Sequence, residues 1–176
     1  MTSKFKLILG LGNPGHDYEY TYHNTGILAT RHFTGDAQFT KDGSSVFEYA
    51  KKDRTIIASS LVFMNESGRA AKAALERFRL SPAEILVIHD ESDMPLGAFK
   101  FSFNRNAAGH HGVESVIGSL GTKAFTRLRI GIRGAGEKTK ASDLVLRKIS
   151  KENLAALRTA FDEAMIVIGS GEASET

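Results

Sequence analysis

Residues 7–15 read LILGLGNPG, an apolar run suited to a buried strand that stops at Gly10, Gly12 and Gly15. That spacing spells G-x-G-x-x-G, the loop fingerprint of dinucleotide-binding folds. A dinucleotide site also needs an apolar-periodic helix after the loop and a second strand ending in an acid about 20 residues on. Here the loop runs into HDYEYTYHNTG (residues 16–26), which is polar and aromatic and has no helical apolar period. The acid at a suitable distance, Asp36 in TGDAQF, follows no strand-like segment. Pro14 also removes a backbone N–H that would face a phosphate. The sequence argues against a bound dinucleotide. What remains is a strand whose end carries Asn13 on a tight turn, and strand carboxyl ends are where open α/β sheets bind ligands.

Outward from this strand, β-branched and apolar content predicts further strands over 46–50, 55–60, 84–89, 98–103 and 127–133, with the first over 5–11. EILVIH (84–89) is nearly continuous in apolar residues, as a strand covered on both faces would be, whereas FKFSF (99–103) and RLRIGIR (127–133) alternate. Helices are predicted over 23–33, 65–78, 112–120 and 150–168. Ala70, Ala71, Ala74, Leu75 and Phe78 form one stripe, and Leu154, Leu157, Phe161 and Met165 another. Strands mixed with helices predict an α/β sheet covered on its faces. Residues 1–176 read as one domain, with 169–176 as a flexible tail.

The composition, 41% hydrophobic and 24% charged over 176 residues, is that of an ordinary globular chain. No apolar run is long enough to cross a bilayer, and no small-residue cleavage site follows MTSKFK, so neither membrane insertion nor secretion is expected. The absence of cysteine excludes disulfides, zinc–cysteine sites and thiol nucleophiles, and suits a reducing cytoplasm. The net charge of +3 is modest, but Lys100, Arg105, Lys123, Arg127, Arg129 and Arg133 all lie in the second half. Two readings stay open at this level: solvated faces, or a surface that tracks nucleic-acid phosphates.

Four short stretches carry an excess of chemistry. YTYHNTG (20–26) supplies His23 and Asn24, VFMNESGRA (62–70) supplies Asn65, VIHDESDMPLG (87–97) supplies His89, Asp90, Glu91 and Asp93, and NRNAAGHHG (104–112) supplies His110 and His111. Singly, each has an ordinary explanation: Asn65 suits a helix N-cap and Asp90 a turn before Pro95. Taken together, several of these polar groups sit at predicted strand ends, where one crevice can gather them. With no G-x-S-x-G elbow and no cysteine, a covalent acyl-enzyme has no obvious nucleophile. A histidine oriented by an aspartate can instead deprotonate water directly. Asparagine amides can steady the oxyanion, a contribution of roughly 3–4 kcal/mol per donor. A metal site built from His89, Asp90, His110 and His111 ranks below this, because no established ligand spacing supports it. Neither metal nor cofactor is expected.

In this order, GLGNPGHDYEYTYHNTG (10–26), FMNESGRA (63–70), HDESDMPLG (89–97), GHHGVESV (109–116) and FTRLRIGI (125–132) resemble the motifs of the bacterial peptidyl-tRNA hydrolases. The resemblance runs from residue 5 to about 133. It implies a single α/β domain, a twisted mixed β-sheet surrounded by helices, working as a cytoplasmic monomer without metal. It implies hydrolysis of the ester between a peptide and the 3′-terminal ribose of tRNA, so that peptidyl-tRNA is the partner. It further implies His23 as general base, Asp90 as the group holding it in its proton-accepting form, and Asn13 as a contact to the peptide side. Asn65 would bind near the reacting carbonyl, Tyr18 and Phe63 would seat the tRNA end, and Arg129 would hold tRNA phosphate. Three positions depart from the pattern: His111 replaces an asparagine expected to contact substrate, Tyr22 an arginine, and Ser102 a basic residue. A non-catalytic RNA-binding relative is the alternative expectation, and a hydrolase of another ester a third.

Overall fold

In the computed structural model, which describes residues 4–173, the LILG run is a fully buried strand, β1 (Leu7–Gly10), in the middle of a seven-stranded sheet. The other strands are β2 (Thr40–Lys41), β3 (Phe47–Lys52), β4 (Thr55–Ser60), β5 (Ile85–Pro95), β6 (Phe99–Phe103) and β7 (Thr126–Arg133). Their order across the sheet is β2-β3-β4-β1-β5-β7-β6. β1 pairs in parallel with β4 and β5, and β5 in parallel with β7. β2, β3 and β6 add on antiparallel, so the sheet is mixed, as expected.

The period-two alternation of the central strands sorts their side chains into two cores. Ile8, Leu86, Ile88, Leu128 and Ile130 face one side, covered by Ala29 and Phe33 of α1 (Thr25–Thr34) and Leu157, Phe161, Ala164 and Ile168 of α5 (Lys151–Ser170). Leu7, Leu9, Ile85 and Val87 face the other, covered by Ala70, Ala71, Ala74 and Leu75 of α2 (Ser67–Phe78) and Val116 of α3 (His111–Leu120). The continuous apolar run of 85–88 is therefore read out as burial on both faces of one strand. A short helix, α4 (Ala141–Leu144), closes a third cluster in which Leu144 packs with Tyr22 and Ile132.

Several boundaries differ from the sequence expectation. β5 continues to Pro95 because it resumes pairing with β7 after a register shift between Glu91 and Pro95, which polarity alone disguised as a turn. His23 lies in a 3-10 turn, Tyr22–Asn24, that precedes α1. The helix predicted to end at 168 runs through Ser170, and Ala173 is buried against the core. Within the expected tail Ala173 is buried, Gly169 half-buried, and Ser170, Gly171 and Glu172 exposed, while residues 174–176 lie outside the described residues.

The connectivity places the site. From β1 the chain passes through α1 to β4 on one side of β1, then through α2 to β5 on the other. The carboxyl ends of β1, β4 and β5 so flank a topological switch point, where open α/β sheets leave a crevice. Close backbone approach fixes α1 above it. A Cβ on Gly10 would lie 2.2 Å from the Gly26 carbonyl oxygen, and one on Gly26 would lie 2.3 Å from that of Ile88. The first glycine of the G-x-G-x-x-G pattern serves helix-on-strand packing, and only Gly15 has a left-handed backbone, with φ 100°.

Gly26→Ala is expected to cost about 2–3 kcal/mol through overpacking and to lower Tm by roughly 5–10 °C. Gly118→Ala, exposed in α3 with nothing within 4 Å, is expected to stabilise by about 0.5–1 kcal/mol. Thermal and urea denaturation of the two variants checks both signs.

Candidate active site

Asp90 sits on β5 at the crevice with only 1% of its surface exposed. His23 is brought over it by the 3-10 turn before α1, whose backbone is pinned when His23 N donates to Val145 O at 2.8 Å and Tyr22 N to Arg147 O at 3.1 Å. His23 Nδ1 lies 3.0 Å from each carboxylate oxygen of Asp90. A second imidazole meets the same carboxylate, with His110 Nε2 3.0 Å from Asp90 Oδ1. His110 is the N-cap of α3, and its Nδ1 accepts from Val113 N at 3.3 Å. The lone pair being used there, Nε2 carries the proton and donates to Asp90. Behind this pair, buried His89 donates from Nδ1 to the Asp90 carbonyl oxygen at 2.7 Å and accepts at Nε2 from Arg127 at 3.3 Å. Its ring stands edge-on to that of His110, centroids 4.5 Å apart.

The end of β1 is held by a second arrangement. The Asn24 carboxamide accepts from Asn13 N at 2.8 Å and donates to Asn13 O at 2.9 Å, clamping that backbone at two points. Asn13 Oδ1 accepts from Met64 N at 2.8 Å, which leaves Asn13 Nδ2 as a donor with no partner among the described residues. The same bond joins the β1 loop to the 3-10 turn Met64–Glu66, on which Asn65 is exposed. Tyr18 and Phe63 meet edge to face at 6.2 Å, and Phe63 is half exposed, so it serves a rim rather than the core.

The other sequence candidates lie further out. His111 is exposed, and its ring meets Glu114 in the first turn of α3 at 3.3 Å rather than Asp90. Arg129 is ion-paired with Glu91, Nε and a terminal nitrogen lying 3.1 and 3.0 Å from Oε2, and it reaches Ser102 Oγ at 3.4 Å. It lines a cleft of about 600 Å³ together with Lys100, Arg105 and Arg127. Tyr22 is buried, its hydroxyl accepting from Asn153 at 2.7 Å. His110 and Asn24 are the contacts that sequence reasoning did not assign. The paired histidines of GHHG are the available signal: the first meets Asp90, and the second, which departs from the family pattern, meets Glu114.

His23, Asp90 and His110 bring their ligand atoms within 4.8 Å of one another, a set able to approach a cation. Each imidazole nitrogen facing Asp90 is, however, accounted for by the proton of its hydrogen bond. His89 and His111, the other members of the metal reading, do not join the set: both His89 nitrogens are engaged and His111 points elsewhere.

The family follows from comparison with known proteins. A family model described as peptidyl-tRNA hydrolase matches residues 7–172. The chain belongs to the peptidyl-tRNA hydrolase family. It is 38% identical to a peptidyl-tRNA hydrolase of Marinobacter nauticus over 96% of this chain and 89% of that one. It is 41% identical to one of Lactobacillus delbrueckii subsp. bulgaricus over 78% and 77% of the two chains. The crystal structure of peptidyl-tRNA hydrolase from Acinetobacter baumannii superposes with a TM-score of 0.82 at 27% identity, covering 96% of this chain and 89% of that one. As a member of the peptidyl-tRNA hydrolase family, the protein is an enzyme of the hydrolase class.

The electrostatics of the site turn on Asp90. Burial works to raise its pKa, but His23 and His110, by charge and hydrogen bond, hold it far below the usual carboxylate range. Burial works in the opposite sense on His23, favouring the neutral ring, and the Asp90 charge and hydrogen bond outweigh it to raise the His23 pKa above 6.5. His89 is pushed well below 6.5, by burial first and then by His110 and Arg127, and is neutral. Both raising influences on His23 come from one carboxylate. In Asp90→Asn the His23 titration, followed by NMR of the ring, is expected to fall from above 6.5 to below it, since burial then acts alone; an unchanged midpoint would disprove the electrostatic coupling.

Proposed function

We propose that the protein cleaves the ester between a peptide, or an N-blocked aminoacyl group, and the 3′-terminal ribose of tRNA, using water activated by His23. One observation carries this reading: an ionised, buried carboxylate holds His23 by Nδ1–H, which leaves Nε2 as the only proton acceptor of a ring whose side chain is 14% exposed. Water gives a proton to Nε2 as its oxygen attacks the ester carbonyl. The imidazolium formed is stabilised by Asp90, as an aspartate stabilises it in hydrolytic triads. Asn13 Nδ2, the unpartnered donor, suits the carbonyl oxygen as negative charge gathers there, or the peptide beside it. On collapse the proton passes from His23 to the departing ribose oxygen, giving a peptide carboxylic acid, ionised at neutral pH, and tRNA with a free 3′-hydroxyl.

Asn65 is exposed next to the Met64 amide that anchors Asn13, a position from which it would bind the substrate near the carbonyl. The Tyr18–Phe63 pair offers an aromatic edge on which the terminal bases of tRNA would stack. Lys100 and Arg129 of the basic cleft would meet phosphate, Arg129 exchanging part of its bond to Glu91 for it. His111, exposed at the start of α3, would face the substrate from the rim. We infer that residues 1–176 act as one domain and as a monomer in the cytoplasm, a reading supported by the family and by His23, Asp90 and Asn13 all coming from one chain. Nothing in the site favours the non-catalytic alternative.

The purified protein is expected to release the acyl group from N-acetylaminoacyl-tRNA while leaving unblocked aminoacyl-tRNA largely intact. His23→Ala is expected to lower kcat by about 10²–10⁴-fold with tRNA affinity changed little. Equal rates for the two proteins would refute the assignment of His23. Measured by fluorescence titration, log affinity for tRNA should fall with log salt by roughly 0.7–0.9 per phosphate contacted; a flat response would remove the basic cleft from the interface.

A further inference from the structure

We infer that Arg127 is a positioning residue, whose buried guanidinium ties the 104–110 loop to His89 and through both fixes the His110 ring that hydrogen-bonds Asp90. The inference rests on the proposed hydrolysis and deepens it.

Arg127 lies on β7 with 4% of its surface exposed, and among the described residues it has no carboxylate within ion-pairing distance. Arg129, two residues along the same strand face, takes Glu91. A buried cation without a carboxylate is costly, and an apolar side chain would pack a strand at less expense. Burial, followed by the neighbouring Arg129, lowers the Arg127 pKa, in keeping with that cost. The charge is retained where its N–H groups have two particular acceptors: one terminal nitrogen donates to His89 Nε2 at 3.3 Å and the other to the Asn106 carbonyl oxygen at 2.9 Å.

Both acceptors lead to His110. His89 has spent Nδ1–H on the Asp90 carbonyl, so its ring orientation is completed only by a donor at Nε2, and Arg127 is that donor. The oriented His89 ring then stands 4.5 Å from His110 at an interplanar angle of 62°. On the other arm, the loop that ends in His110 is conformationally expensive. Asn104 (φ 54°), Ala108 (φ 51°) and Gly109 (φ 85°) are all left-handed, and two of them carry a Cβ. Such a segment keeps one shape only when held from outside. Asn106 is one of its tethers, with Arg127 on its carbonyl and Lys123 Nζ on its side chain at 3.1 Å. The Ala107 carbonyl, one residue on, then accepts from His110 N at 3.1 Å.

The test compares wild type with Arg127→Met, Arg127→Lys, His89→Gln and His89→Leu. Turnover of N-acetylaminoacyl-tRNA is measured below each variant's melting transition, and ring ¹H–¹⁵N correlations of His110 are recorded without substrate. Arg127→Met is expected to lower kcat about tenfold or more with KM within twofold, and to replace the Nε2–H pattern of His110 by averaged tautomers. Arg127→Lys, which keeps the charge and one donor, should recover part of kcat. His89→Gln, whose amide oxygen can stand where Nε2 accepts, should keep more turnover than His89→Leu; this pair also tests the inference if Arg127→Met does not fold. A raised KM at unchanged kcat, with His110 unaltered, would make Arg127 a phosphate ligand and overturn the inference, as would equal turnover of the two His89 variants. The ring spectra need no substrate, so an inactive wild type would refute the proposed hydrolysis without deciding this point.

Discussion

A carboxylate ionised inside the protein is the constraint around which the site is built. Removing Asp90 from water is unfavourable unless hydrogen bonds replace its hydration, and the two imidazoles of His23 and His110 supply them. Each imidazole belongs to a different layer of the fold: His23 precedes α1 on one face of the sheet, and His110 caps α3 on the other. The carboxylate on the central strand therefore joins both layers at the crevice. The charge that orients the His23 ring also locks the elements that form the walls of the crevice.

That arrangement needs α1 close to the sheet. The Gly10–Gly26 approach allows helix backbone to rest on strand backbone, and the turn before the helix then brings His23 over Asp90 on β5. The Asn24 clamp on Asn13, one residue beyond His23, makes the His23 ring and the Asn13 amide parts of one rigid corner. The double anchoring of Asn13, by Asn24 on its backbone and by Met64 N–H on its side-chain oxygen, leaves one group free, and it is an N–H donor. In the proposed hydrolysis, negative charge developing on the carbonyl oxygen would gain from a donor whose orientation is fixed in advance.

Much of this was legible in the chain. The stripe at Ala70, Ala71 and Ala74, the apolar run of 85–88 and the alternation of 127–133 report local burial, which sequence periodicity encodes directly. The polar stretches at 13, 65 and 90 were recognisable because they follow or end predicted strands, and that at 23 because it opens a predicted helix. The extension of β5 to Pro95 was not legible, since a strand with an irregular register carries polar residues that resemble a turn. Nor was the packing of Ala173, because a small, polar-looking tail gives no periodic signal.

The sequence by itself determined the α/β class and argued against a dinucleotide loop, because both depend on spacing and periodicity; the choice of His23, Asp90 and Asn13 came instead from the resemblance of their motifs to those of the family. Only the tertiary structure decided which histidine of GHHG meets Asp90. His110 and His111 are adjacent in the chain, but a helix N-terminus points successive side chains in different directions, and His110 alone turns inward. It likewise decided that Arg127 is buried beside His89 while Arg129, two positions on, pairs with Glu91. Those partners come from β5 and from the 104–110 loop, and contacts made across such distances in the chain leave no period for a sequence to display.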